Sequence, residues 1–247
     1  MTTPLTRELL VIIPAWNEEK TLPGVLAEIR AALPEADVIV VDDGSQDSTS
    51  RVAASTGVNV LTLPINLGVG GAMRAGYVYA AREGYRQAVQ VDADGQHDPE
   101  AVHALQAAMA AGNIDIVIGA RFAGTGDYEA KGPRRWAMSM LSAVLSRATG
   151  ATLTDTTSGF KLTSRRAIEL FARELPAEYL GDTVEALVIA SKAGLTVRQV
   201  GVTMRPRAGG EPSHSPWKAA KQLLRAMLAL AVALTRRTTT LPSGDAS

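Results

Sequence analysis

The sequence contains no cysteine. Disulfides, thiolate metal sites and cysteine nucleophiles are therefore excluded, and the composition fits a reducing, cytoplasmic compartment. Aromatic residues make up only 4% of a chain that is 46% hydrophobic, so the core must be built mainly from aliphatic side chains. Charge of neither sign dominates. Twenty-five Lys and Arg balance 25 Asp and Glu, which argues against a general nucleic-acid binder. Long apolar runs are missing as well. Leu9 to Ile13 is too short for a secretory h-region, so no signal peptide is expected. Ala226 to Leu234 falls short of the roughly 20 residues that span a bilayer. Gly68-x-Gly70-Gly71 lacks the third glycine of a dinucleotide fingerprint, whose place is taken by Met73, and no P-loop is present. The three histidines, His97, His103 and His214, have no nucleophile-elbow context.

What is present alternates. Leu9 to Ile13 is a continuous apolar run, the mark of a strand covered on both faces, and Pro14 ends it. A helix is predicted from Lys20 to Ala32 and a second buried strand from Asp37 to Asp42. Asp47 suits the cap of a helix running to Thr56. A strand from Asn59 to Leu63, a helix to Glu83, a strand from Gln87 to Val91, a helix from Pro99 to Ala111 and a strand from Ile114 to Ala120 follow. Strands alternating with helices at this spacing predict an α/β, doubly wound, mostly parallel sheet flanked by helices. Right-handed crossovers bring every strand-to-helix loop to one edge of that sheet, where ligands bind. Asn17, Glu18, Asp42, Asp43, the Asn66 loop, Asp92 and Asp94 are expected to converge there. The glycines at 68, 70 and 71 are expected to let their helix pack closely on the sheet.

The second half is less regular. Residues 123–133 are Gly-rich and charged and are expected to be mobile. Arg134 to Thr149 reads as a helix with Met138, Leu141 and Leu145 on one face. Asp155 to Leu162 reads as a turn entering a strand, and Ser164 as a helix cap. Thr183 to Ala193 is a predicted helix, and Thr196 to Met204 a strand. The organisation expected is a catalytic domain over 1–212, a basic amphipathic helix over 213–237 and a disordered tail over 238–247.

Asp92-Ala93-Asp94 carries the chemistry. Residues i and i+2 of an extended segment project to one side, so two carboxylates lie close together at a strand end. A divalent cation relieves their repulsion. Oxygen ligands without sulfur suit a hard ion, Mg2+ or Mn2+, which commonly also takes phosphate oxygens. The alternative is a solvated acidic turn. Asp98 suits the cap of the next helix and Pro99 its first position. His97 is a candidate third ligand, although a histidine beside a helix start more often serves the surface or supports a ligand.

Val11-Ile12-Ile13-Pro14-Ala15-Trp16-Asn17-Glu18-Glu19, then Val41-Asp42-Asp43-Gly44-Ser45 with Asp47 and Thr49, then Asn66-Leu67-Gly68, then Asp92-Ala93-Asp94-Gly95-Gln96 resemble glycosyltransferase family 2. The resemblance implies the GT-A fold. Asp155-Thr156-Thr157-Ser158-Gly159-Phe160-Lys161 is similar to a segment of polyprenyl-phosphate sugar transferases of the dolichyl-phosphate mannose synthase type. So are Gly119-Ala120-Arg121, Arg135 with Ser139, and the late Arg-to-Ser loop. The resemblance implies that Pro14, Glu18, Asp42, Asp43, Asn66 and Gly68 serve the nucleotide, with Arg121 and Arg207. It implies that Asp92, Asp94 and Gln96 hold the metal, and that Arg121, Arg135, Ser139, His214 and Ser215 meet donor or acceptor phosphates. Two positions depart from the pattern: Val69 stands where a Lys often follows the glycine, and Ser213-His214-Ser215 where Ser-Lys is common.

The implied reaction is an inverting hexosyl transfer from a nucleotide diphosphate sugar to a polyprenyl phosphate. A lipid monophosphate, with a second pKa near ~6 by analogy with phosphorylated side chains, is already an anionic nucleophile and needs arginines rather than a base. A hydroxyl acceptor, the alternative, needs a general base. Asp155, Asp182 or Glu185 would then serve. A third alternative is an inert nucleotide-sugar-binding subunit that anchors partners, such as a membrane-protein partner, at a membrane. The predicted helix from Trp217 to Thr235 puts Lys218, Lys221 and Arg225 on one stripe beside Leu224, Met227, Leu228, Leu230 and Leu234. It reads either as an interfacial helix or as a core-packing one. With a lipid-linked substrate, peripheral contact at the cytoplasmic face of a membrane is expected.

Overall fold

A computed structural model describes residues 7–121, 133–156, 158–175 and 182–206. The first half runs β1 (Leu9–Ala15), α1 (Leu22–Ala32), β2 (Asp37–Asp42), α2 (Thr49–Ser55), β3 (Asn59–Thr62), α3 (Gly68–Glu83), β4 (Gln87–Gln90), α4 (Ala101–Gly112) and β5 (Ile116–Arg121). The second half adds α5 (Pro133–Thr149), β6 (Lys161–Ser164), α6 (Arg165–Glu174), α7 (Asp182–Lys192) and β7 (Val197–Val202). The described strands form one sheet in the order β3-β2-β1-β4-β6-β5-β7. All pairings are parallel except those of β6, which runs antiparallel between β4 and β5.

The apolar run of β1 follows from its central place. Leu10 and Ile12 face one core, with Ile39, Val41, Tyr77, Ile118 and Phe171. Leu9, Val11 and Ile13 face the other, with Leu22, Ile29, Val102, Leu105 and Leu162. These five residues of β1 are all buried, each worth roughly 1.5–3 kcal/mol relative to exposure. α3 lies directly on β1: a Cβ at Gly76 would stand 2.4 Å from Ile12 Cγ2. Gly76, in the middle of the helix, is thus one glycine that the sheet demands.

Helix starts differ most from the sequence reading. α1 begins at Leu22 rather than Lys20, because Glu18 to Thr21 form a turn, with Thr21 N–H and Leu22 N–H both donating to Glu18 O. α4 begins at Ala101, not Pro99. Asp98 instead accepts Glu100 N–H at 3.2 Å and Ala101 N–H on its carbonyl at 3.1 Å, a turn that precedes the helix. Ser164 does cap α6, its Oγ accepting Ala167 N–H. The segment 123–132 and the predicted terminal helix and tail lie outside the described residues. Among the described residues no helix is long and apolar enough to cross a membrane.

Candidate active site

The carboxyl ends of β1, β2 and β4 and the start of α3 carry the motif residues to one edge. Two of the loops there are laced together. Asn17, in the left-handed region at φ 57°, accepts Gln46 N–H on Oδ1 at 2.9 Å and donates its own N–H to Ser45 Oγ at 2.9 Å. Glu18 N–H donates to Thr49 Oγ1 at 2.8 Å, Glu19 N–H to Asp47 Oδ2, and Ser48 N–H to Glu19 Oε2. Glu18 accepts the Thr21 hydroxyl at 2.5 Å. Pro14 sits within β1 opposite Val41, half-buried, and Trp16 beyond it is 53% exposed.

Asp42 and Asp43 are both buried. Asp42 accepts Ser45 N–H at 2.9 Å on one oxygen and the Ser50 hydroxyl on the other. Asp43 accepts Leu67 N–H on Oδ1 and Gly68 N–H on Oδ2, each at 2.7 Å. Its carboxylate therefore closes the Asn66 loop and caps α3, where the helix dipole favours a negative charge. Burial pushes the Asp43 carboxyl above its ordinary range, against those two donors and with help from the Asp42 charge. Asp47 moves the other way. Burial raises it, but hydrogen bonds from the Thr49 hydroxyl, Thr49 N–H and Glu19 N–H outweigh that and hold it below its ordinary range. Gly44, at φ +71°, completes this turn, and any Cβ there would lie 2.9 Å from the Ile65 carbonyl carbon. Asn66 is half-buried in the same loop.

Asp92 and Asp94 lie in the loop between β4 and α4. Asp92 Oδ1 accepts the Gln90 amide at 2.9 Å. Its Oδ2 accepts no hydrogen bond among the described residues, and the side chain is 35% exposed. Asp94 is buried, with Oδ1 accepting Gln96 N–H at 3.0 Å. His97 is buried and stacks on Phe160 at 4.8 Å. Its Nδ1 accepts Asp92 N–H at 3.1 Å, so the neutral ring carries its proton on Nε2, 3.7 Å from Asp92 Oδ2. His97 thus supports the Asp92 loop from behind. The chain after β7 crosses this loop: Met204 pairs with His97, and Arg205 N–H donates to Gln96 O at 2.9 Å.

The residues fit a hard divalent ion. One carboxylate oxygen of Asp92 accepts no hydrogen bond among the described residues, Asp94 lies in the same loop, and the chain has no cysteine. No group of three His, Cys, Asp or Glu suited to a metal exists among the described residues. The resemblance assigns such an ion to Asp92, Asp94 and the Gln96 amide, with phosphate oxygens as the further ligands usual for Mg2+.

Of the residues expected at donor or acceptor phosphates, Arg121 ends β5, and Arg135 and Ser139 fall in α5. Asp155 is half-buried in a loop clamped by Gln199 of β7. Gln199 Oε1 accepts Thr154 N–H at 2.6 Å, and its amide donates to Asp155 O at 2.7 Å. Glu185 is buried in α7. Arg207, His214 and Ser215 lie outside the described residues. Sequence reasoning assigned no role to Gln90, Gly159 or Gln199. The available signal was a glutamine inside the otherwise apolar run Ala88-Val89-Gln90-Val91.

Residues 10–171 match the family model described as glycosyl transferase family 2. The undecaprenyl-phosphate mannosyltransferase of Micrococcus luteus is 35% identical over 219 residues, covering 84% of this chain and 87% of that protein. The polyprenol monophosphomannose synthase of Mycolicibacterium smegmatis is 34% identical over 171 residues, covering 66% of this chain and 64% of that one. Among solved structures, glucosyl-3-phosphoglycerate synthase of Mycobacterium tuberculosis with Mn2+, UDP and phosphoglyceric acid superposes with a TM-score of 0.69. Its identity is 22%, over 96% of this chain and 81% of that one. That likeness fixes the fold as GT-A. With its motifs gathered at one sheet edge, this chain belongs to glycosyl transferase family 2 and is a glycosyltransferase.

Proposed function

We propose that this glycosyltransferase moves a hexose from a nucleotide diphosphate sugar to a polyprenyl phosphate, with inversion at the anomeric carbon. The observation that carries the reading is the Asp92–Asp94 pair with its open Oδ2, in a chain whose relatives bear polyprenyl-phosphate mannosyltransferase and monophosphomannose synthase names. Bound Mg2+ or Mn2+ would neutralise charge on the departing nucleoside diphosphate. Asp92, Asp94 and Gln96 would hold that ion. Pro14, Glu18, Asn66 and the loop closed by Asp42 and Asp43 would frame the nucleoside. Arg121, Arg135 and Ser139 would orient phosphates, joined by Arg207, His214 and Ser215. The acceptor phosphate is already an anion, so no general base is required, and Asp155 would orient the loop that receives it.

The acceptor is a lipid, so the protein must reach a membrane surface. Basic residues near an anionic leaflet contribute about 1 kcal/mol each, within a Debye length. We place this contact at the cytoplasmic face, through the basic segment 217–235 and the Arg134-Arg135-Trp136 start of α5.

The test is a panel of radiolabelled nucleotide sugars incubated with lipid extract, with and without EDTA. A mild-acid-labile product in the organic phase, lost with EDTA, is expected. Asp182→Asn and Glu185→Gln should slow transfer modestly, while Arg135→Ala should damage acceptor use severely. Product confined to the aqueous phase, together with one indispensable carboxylate, would assign a hydroxyl acceptor instead.

A further inference from the structure

Two segments that the chain separates by more than sixty residues meet at Asp92. From β4 comes Gln90, only 1% exposed, whose Nε2 donates to Asp92 Oδ1 at 2.9 Å. The opposite amide orientation would set two oxygens against each other, so the hydrogen-bond network fixes this one. Gln90 Oε1 is buried and has no hydrogen-bond partner among the described residues. Such an oxygen is destabilising, which a Met at the same place would avoid. Stability therefore does not explain this glutamine.

From the loop before β6 comes Gly159. Its φ is not in the left-handed region, so conformational freedom is not what the position requires. Space is. A Cβ at Gly159 would stand 2.7 Å from Gln90 Nε2 and 3.3 and 3.4 Å from the two oxygens of Asp92. Contacts under 3.0 Å force something to shift, and here it is the amide that holds the carboxylate. The next residue, Phe160, stacks on the His97 ring with 21° between planes, and that ring accepts Asp92 N–H. Ser158 anchors the segment from the other side, its hydroxyl donating to Gly119 O at 2.5 Å.

We infer that Ser158-Gly159-Phe160 is the template against which Asp92 is set, with Gln90, Gly159 and His97 as positioning residues. Gln90 holds Oδ1, and Gly159 leaves room for that bond. His97, backed by Phe160, holds the main chain. Oδ2 is thereby left as the open oxygen. The inference rests on the metal-dependent reading above and deepens it: the Ser-Gly-Phe segment, part of the stretch that resembles polyprenyl-phosphate sugar transferases, here acts on the donor-side carboxylate.

The test is Mn2+ binding to the full chain in the presence of UDP or GDP, by calorimetry, beside the melting temperature of the metal-free protein. Gln90→Met is expected to melt no lower than the unsubstituted protein, yet to bind Mn2+ about 10–100-fold more weakly. Excess Mn2+ should restore its transfer rate. Gly159→Ala should weaken Mn2+ to a similar degree. Adding Gly159→Ala to Gln90→Ala should weaken it less than Gly159→Ala does alone, because the atom struck by the new methyl is gone. A merely structural role would lower the melting temperature and leave Mn2+ affinity unmoved. Gln90→Met and Gly159→Ala binding Mn2+ within twofold of an unsubstituted protein that does bind it would overturn the inference and leave the transferase reading standing. No Mn2+ binding by the unsubstituted protein would overturn the metal reading and this inference with it.

Discussion

Two pairs of aspartates stand at the same edge of the same sheet, Asp42–Asp43 after β2 and Asp92–Asp94 after β4, on either side of β1. In sequence they look alike: carboxylates at the end of a buried strand, followed by a turn and a helix. In the structure they do different work. The first pair is 3% exposed at both residues, and all four of its oxygens accept hydrogen bonds from the chain's own N–H and O–H groups. The second leaves Asp92 one-third exposed with an unbonded oxygen. Residue type and position thus mark the edge at which the motif residues gather. Unfilled hydrogen-bonding capacity distinguishes the carboxylate offered to a ligand from one that builds the loop around it.

The comparison predicts opposite responses to substitution. Asp92→Asn keeps an oxygen for the Gln90 amide and removes the charge. It is expected to lower transfer by roughly three powers of ten or more, the loss of several kcal/mol of leaving-group stabilisation, with little change in melting temperature. Wild-type rates in Asp92→Asn, or in EDTA, would break the assignment. Asp43→Ala should act mainly on stability. It strands two N–H groups at the head of α3, one of them buried, and should cost about 2 kcal/mol, or roughly 4–8 °C in a chain of this size. A melting temperature unchanged in Asp43→Ala would mean that the cap is dispensable.

The sequence made much of this legible. The apolar runs of β1 and β2 marked two interior strands, because a strand buried on both faces has no polar side to show. The Asp92–Asp94 loop was found by its place between a strand and a helix. Other features lie in relations between distant segments. The antiparallel direction of β6 is set by how the chain returns after α5, which no local pattern encodes. The turn at Asp98 that precedes α4 also meets Arg205, 107 positions away, a contact that no local pattern shows. The engagement of Asp43 depends on the Leu67 and Gly68 amides, invisible as side-chain types. Gly159 showed only as part of a resemblance, since its reason is the Gln90 amide on a neighbouring strand.

Acidification sharpens the contrast within the first loop itself. Asp43 is raised, so its contribution is fully present below the ordinary Asp pKa and is lost as pH rises through the folded value. Asp47 is lowered, so its contribution is present above the ordinary value and is lost as pH falls through the folded one. Relative to Asp43→Asn, the unsubstituted protein should gain stability as the solution is taken from pH 7 toward pH 4. Relative to Asp47→Asn, it should lose stability on acidification below the ordinary Asp range. Urea melts of the three proteins across that range check both signs. Parallel curves would show that neither carboxyl differs between folded and unfolded chains.

The smallest effect is expected at the rim of the Asp92 loop. Arg205 reaches Glu28 Oε2 at 2.5 Å and Asp98 Oδ1 at 3.1 Å, tying the chain after β7 to α1 and to the turn before α4. Its side chain is 42% exposed and Glu28 is 50% exposed, so water screens both ion pairs. Such pairs contribute under about 1 kcal/mol. The segment has other holds that do not depend on the side chain: Arg205 N–H still donates to Gln96 O, and Met204 still pairs with His97. Arg205→Ala should therefore lower the melting temperature by only about 1–3 °C. That difference should close in 1 M salt, where the Debye length is about 3 Å. Mn2+ affinity should stay within about twofold of wild type, because the main-chain contacts that frame Gln96 and His97 persist. A loss of Mn2+ binding comparable with that expected for Gly159→Ala would show instead that the guanidinium, rather than the backbone, holds this side of the loop in place.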